Sequence, residues 1–163
     1  MNIILHEPEI PQNTGNIART CLITNTTLHL IRPLGFKIDE KTLIRAGLDY
    51  LKDVDIRIYD NFEHFLEKNE NPIVYMSTTK AKNLYTDVKY PENAFIMFGK
   101  ESKGIPEEIL VNNKDTAIRI PMIEGARSLN LSSSVAIVIY EALRQLGFKN
   151  MQTQGNLTKF NWN

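Results

Sequence analysis

Cysteine is nearly missing from this 163-residue chain: Cys21 stands alone. No internal disulfide can form, and no thiolate metal site can be built from cysteine. A lone thiol fits a reducing, cytoplasmic compartment. Long apolar runs are missing too, since none approaches the roughly 18 residues that a membrane span requires. The opening thirteen residues, MNIILHEPEIPQN, carry no basic region and no extended apolar stretch, so they do not read as a signal peptide. Net charge is also absent, because 19 Lys+Arg balance 19 Asp+Glu. That excludes a protein coating nucleic acid by bulk charge; any polyanion must be met by a local basic patch.

The familiar constellations of catalysis are missing as well. His6, His29 and His64 lie far apart, with no HExxH and no His/Cys/Asp cluster, so no metal site is expected. No G-x-S-x-G elbow, no G-x-G-x-x-G fingerprint and no Walker A loop occurs. The glycine-rich stretch Gly99 to Gly104 is followed by Ile105 and Pro106, where a phosphate loop needs Lys and then Ser or Thr. His29 reads as a structural or surface residue, and Cys21 as a small core residue.

What is present is one domain's worth of apolar residues, 42% of the chain, arranged as alternating strands and helices. Residues 2–6, 27–31, 54–59, 73–76, 94–98 and 116–120 read as strands. The 54–59 strand alternates apolar and charged residues, as an edge or half-exposed strand does. Helices are expected from a cap at Asn13 or Thr14, from Asp39 to Arg45 with Gly47 as its stop, over 61–68, from Pro106 to Val111, and from Leu131 to Leu146 with Gly147 beyond. This is an α/β pattern: a mostly parallel sheet with helices on both faces. The domain spans residues 1–148. A tail over 149–163 holds no acid and ends in Phe160 and Trp162.

In such a sheet, ligands bind outside the carboxyl ends of the strands. Three loops there are unusual. Asn13-Thr14-Gly15-Asn16-Ile17-Ala18-Arg19 opens a helix whose free N–H groups suit an anion, with Arg19 one turn on. Phe98-Gly99-Lys100-Glu101-Ser102-Lys103-Gly104-Ile105-Pro106 permits close main-chain approach at its glycines. Ile120-Pro121-Met122 leads to Ser128-Leu129-Asn130-Leu131 and three consecutive serines, which can supply caps and donors.

Together these loops resemble the three ordered motifs of the SpoU family of SPOUT-class RNA 2′-O-methyltransferases, over residues 2–148. The short chain, the opening His6-Glu7-Pro8-Glu9-Ile10-Pro11-Gln12-Asn13 and the run Arg45-Ala46-Gly47-Leu48-Asp49-Tyr50 are similar to its TrmL type. That resemblance implies a deep trefoil knot at the C-terminal end of the fold. It implies S-adenosylmethionine as methyl donor, S-adenosylhomocysteine as product and no metal. The cofactor contacts carried over are Ser77, Gly99, Ile120, Ser128 and Leu129; the catalytic positions are Arg19, Asn13, Glu101, Asn130 and Tyr140. Tyr140 faces either the pocket or a dimer seam. The implied substrate is the ribose of the wobble nucleotide, position 34, cytidine or modified uridine, in the anticodon stem-loop of tRNA, with leucine isoacceptors expected. The resemblance also implies a homodimer in which each site is completed by the partner. Arg19, Arg32, Lys37, Lys41, Arg45, Lys100, Lys103, Arg127 and Arg144 can supply the basic patch. The rival readings are a SpoU-type enzyme acting on ribosomal RNA or another tRNA position, a non-catalytic RNA-binding module of the same fold, and a nucleotide-triphosphate binder.

Overall fold

A computed structural model describes residues 1–37 and 52–162. The expected helix from Asp39 to Arg45, Gly47, and the motif over residues 45–50 lie outside the described residues. Among the described residues seven strands form one sheet: β1 (Asn2–His6), β2 (Thr27–Ile31), β3 (Ile56–Tyr59), β4 (Val74–Ser77), β5 (Asn83–Leu84), β6 (Phe95–Phe98) and β7 (Ala117–Arg119). Their order is β3-β2-β1-β6-β4-β7-β5, and every neighbouring pair runs parallel. The alternating 54–59 segment does form an edge, as β3. The other edge, β5, is only two residues long and too short to carry a periodic signal.

Helices α1 (Pro11–Ile23) and α4 (Leu131–Gln145) cover one face; α2 (Phe62–Lys68) and α3 (Glu107–Val111) cover the other. The pleat divides the core accordingly. Ile3 and Leu5 of β1, with Ile96 and Phe98 of β6, pack against Ile17, Cys21, Val135 and Ile139. Ile4 and Met97 point the other way, toward Phe62, Phe65, Ile105 and Leu110. Strands buried on both faces are continuously apolar, as parallel strands must be. Cys21 is buried, and so is His29, which is fully enclosed rather than at the surface.

The start of α1 and the cap of α4 differ from expectation, while α4 begins at Leu131 as expected; Pro106 is the N-cap of α3 and not its first residue. Helix α1 begins at Pro11, not at Asn13 or Thr14; Ile10 is its N-cap and makes no side-chain cap bond. Proline suits a first turn because its missing N–H has no intrahelical acceptor there. Asn13 is thereby released from capping. At α4 the N-cap is Asn130 and not one of the serines; its side chain accepts from the N–H groups of Ser132 and Ser133. Helix α4 ends at Gln145 with Leu146 as its C-cap and Gly147 just beyond at φ +68°, with Phe148 N–H donating to Leu143 O at 2.9 Å and Gly147 N–H to Arg144 O at 3.0 Å.

Candidate active site

A cavity of about 450 Å³ opens at the carboxyl ends of the strands, where the crevice of an open parallel sheet takes its ligand. Its walls come from Ile10 and Asn13 after β1, Ser77 to Lys80 after β4, Phe98 to Ile105 after β6, Ile120 and Met122 after β7, and Ser128 to Leu131 with Ser134 at the start of α4. The sheet order makes this possible. From β1 the chain winds outward through β2 and β3, then returns on the far side of β6, so the loops leaving β1 and β6 lie side by side.

A continuous chain of hydrogen bonds stitches the loops together. The Glu101 carboxylate accepts from Glu9 N–H at 2.9 Å, Ile10 N–H at 3.3 Å and the Asn13 amide at 3.0 Å. Asn13 Oδ1 in turn accepts from Asn130 Nδ2 at 2.9 Å. Asn130 Oδ1 closes the chain on α4, accepting from Ser132 N–H at 2.9 Å and Ser132 Oγ at 2.7 Å. Each amide thus uses donor and acceptor in opposite directions, which fixes its orientation.

A second pair of links runs parallel to the first. Glu9 accepts from Ser102 N–H at 2.9 Å and Ser102 Oγ at 2.8 Å. These bonds hold its carboxyl below the usual carboxylate range. Lys100 pairs with Glu7, which raises the lysine pKa. Between these anchors the main chain folds tightly back: Gly104 N–H donates to Lys100 O at 2.9 Å, and a Cβ on Gly99 would lie 2.2 Å from Gly104 C. Only glycine fits at Gly99. Sequence reasoning missed Glu9 and Ser102, because their partners lie 93 residues apart and no local pattern signals that pairing.

Eight of the ten residues singled out from sequence line the cavity: Asn13, Ser77, Gly99, Glu101, Ile120, Ser128, Leu129 and Asn130. Arg19 and Tyr140 do not. Arg19 lies on the exposed face of α1, in line with Gln12, Asn16 and Ile23. Tyr140, 40% exposed, lies on the outer face of α4 with Ile137. Helices α1 and α4 pack against each other on one face of the sheet. Of the expected basic patch, Arg32 pairs with Asp60, Lys100 with Glu7 and Arg144 with Glu141; Lys41 and Arg45 lie outside the described residues. Among the described residues no cluster of three or more His, Cys, Asp or Glu could hold a metal ion. No described helix is long and apolar enough to cross a membrane.

Comparison with known proteins places this geometry. A relative from Geobacillus stearothermophilus, provisionally named a tRNA (cytidine(34)-2′-O)-methyltransferase, is 50% identical over 154 residues, 93% of this chain and 98% of its own. The tRNA (cytidine(34)-2′-O)-methyltransferase of Escherichia coli K12 is 44% identical over 149 residues, covering 91% of this chain and 95% of its own. A solved structure concerned with 2-OH methylation of C/U34 on tRNA matches with a TM-score of 0.84 at 42% identity, over 91% of this chain and 97% of that one. An AdoMet-bound rRNA methyltransferase from Sinorhizobium meliloti matches with a TM-score of 0.77 at 25% identity, over 89% of this chain but 56% of that one. The SpoU rRNA Methylase family model matches residues 1–140. With its parallel sheet, its stitched loops and these relatives, the chain belongs to the SpoU methylase family.

Proposed function

We propose that this protein transfers a methyl group from S-adenosylmethionine to the ribose 2′-hydroxyl of the wobble nucleotide, position 34, of tRNA. Cytidine or modified uridine is the target, and leucine isoacceptors are the expected substrates. The observation that carries the reading is the Glu101–Asn13–Asn130 chain of hydrogen bonds in the cavity wall, in a chain whose relatives act on cytidine 34.

The cavity suits the cofactor. Phe98, Ile105, Ile120, Leu129 and Leu131 offer apolar contact for a flat base, Ser77, Thr78 and Ser128 bring hydroxyls, and Gly99 forms part of the wall. When bound, S-adenosylmethionine supplies a methyl carbon already activated by its positive sulfur. The chain's own residues then have two tasks, to hold the ribose oxygen in line and to see its proton removed. Asn13, Asn130 and Glu101 hold the floor on which the ribose rests. Arg19 orients a substrate phosphate and stabilises charge on the oxygen; arginine, with a pKa above roughly 12, serves poorly as a free base. Bound there, S-adenosylmethionine would give its methyl group to the 2′-oxygen and leave as S-adenosylhomocysteine, with the 2′ proton passing to solvent.

The same reading extends to assembly. The exposed surface of α1 and α4, with Ile23, Ile137 and Tyr140, is the seam of a homodimer. Arg19 lies on that seam, so each arginine serves the cavity of the opposite subunit, and Tyr140 belongs to the seam. Residues 1–148 form the single SPOUT domain, with the C-terminal segment threaded as a trefoil knot; 149–163 form a tail. The setting is the cytoplasm, where tRNA is modified.

The test uses methyl-labelled S-adenosylmethionine with bulk tRNA and ribosomal RNA in parallel, followed by digestion to nucleosides. Label in a 2′-O-methyl nucleoside from the anticodon supports the proposal. Label from ribosomal RNA alone overturns the substrate, and Arg19→Ala must abolish transfer while leaving cofactor affinity nearly unchanged.

A further inference from the structure

Three lysines and one carboxylate are the ionisable groups lining the cavity, namely Lys80, Lys100, Lys103 and Glu101. In a chain of zero formal charge, that is a local excess of cations. Their partners separate them. Lys80 pairs with Glu107, and Lys100 with Glu7. Glu101 is taken up by the N–H groups of Glu9 and Ile10 and by the Asn13 amide. Lys103 is exposed and has no ion pair or hydrogen bond with any described residue. The Glu9 carboxylate lies within reach of its field, although its hydrogen bonds go to Ser102 and not to the lysine.

The main chain on either side of Lys103 is pinned. Ser102 is bonded to Glu9, and Gly104 N–H donates to Lys100 O. An ammonium on a fixed backbone, at the rim of a site and with no hydrogen-bonded partner among the described residues, is placed to receive an anion at low ordering cost. A whole RNA strand cannot enter a cavity of about 450 Å³. With the cofactor in that cavity, the backbone flanking the reacting ribose stays at the rim. We propose that Lys103 binds a backbone phosphate of the RNA beside the reacting ribose, and so contributes to RNA affinity rather than to methyl transfer itself. This rests on the RNA methylation reading above.

The test compares the wild-type chain, K103A, K103R and K68A, which removes a like charge from the exposed end of α2. Four quantities are read: binding of tRNA as a function of salt, KM for tRNA, kcat at saturating tRNA, and S-adenosylmethionine affinity by calorimetry. For K103A the expected result is tRNA binding weakened about fivefold near 0.1 M salt, with the log–log salt slope reduced by about 0.7 to 1, as for one lost phosphate contact. KM rises correspondingly, while kcat and cofactor affinity stay within about twofold. K103R restores binding, and K68A behaves as wild type. An unchanged salt slope in K103A overturns the proposal. So does a loss of cofactor affinity, which would assign Lys103 to the cofactor's carboxylate. Because tRNA binding is read without turnover, a chain that methylates nothing still tests Lys103. A chain that methylates position 34 with K103A unaltered refutes the inference alone.

Discussion

Asn130 Nδ2 lies 2.9 Å from Oδ1 of Asn13, a residue 117 positions earlier. The same Asn130 caps α4 through its other amide atom. One side chain thus ties helix stability to site geometry, and the two can be separated. Asn130→Ala loses both functions and should lower the unfolding free energy by about 1 to 2 kcal/mol. Asn130→Asp keeps the capping oxygens but loses the donor to Asn13. Urea unfolding should find Asn130→Asp close to wild type and Asn130→Ala below it, with methyl transfer depressed at least tenfold in both. Full activity in Asn130→Asp would show that the link to Asn13 is dispensable.

Gly99→Ala tests the tight loop. The added carbon would meet Gly104 C and Ile105 N, both at 2.2 Å, and both are main chain, so no side-chain rotation relieves the clash. A loss of at least about 2 kcal/mol in stability is expected, together with loss of S-adenosylmethionine binding by calorimetry. Normal cofactor affinity in a folded Gly99→Ala would remove this loop from the cofactor site.

Acid should weaken the fold through His29. Burial lowers its pKa to about 4, aided by Arg57 and opposed by Asp55. Tyr59 Oη at 2.9 Å and Asn2 Oδ1 at 3.2 Å face its two nitrogens, with the rings of Phe65 and Phe95 around it. The unfolded chain, with a histidine pKa near 6.5, holds more protons between those values. Stability therefore declines as pH falls from about 6.5 to about 4, by at most about 3 kcal/mol from this residue. Burial lowers His6 as well, in the same sense. His29→Gln should be less stable at pH 7 yet show a shallower decline between pH 6.5 and 4.5. An equal slope in the variant would exclude His29 as a source.

Cys21 offers a probe of opening. It is fully buried on α1 and burial pushes its thiol up to about 12, so it should ignore an aromatic disulfide reagent at pH 8. Reaction should track unfolding, one equivalent per chain, when urea is added. Fast labelling of the native protein would mean that α1 detaches on its own.

Much of this architecture was legible because buried parallel strands are short, apolar and interrupted by turn residues. The segments at 2–6 and 27–31 were placed as observed. The final helix was bounded by its glycine. Capping was misread at α1 because Asn is both a good cap and a good bridging amide, and only the position of Glu101 in space shows which use prevails. The same limit applies to Glu9 and Ser102, whose pairing follows from β1 and β6 lying side by side. Eight of the residues carried over from the family resemblance line one cavity, a grouping that no local pattern in the sequence shows. The outward placement of Arg19 and Tyr140 depends on how α1 and α4 roll against the sheet, which spacing alone does not specify.

The position of β1 carries a cost during synthesis. It lies in the interior of the sheet, with β2 on one side and β6 on the other, and its register with β6 runs from Asn2↔Phe95 to Leu5↔Phe98. On the ribosome, β2 emerges soon after β1 and can shield one flank. The other flank waits until Phe98 has been translated. Throughout that interval the nascent chain displays an apolar strand with an open edge, the feature that invites pairing with a neighbouring chain. The pace of elongation up to residue 98 therefore sets how long this protein is vulnerable before its fold can close.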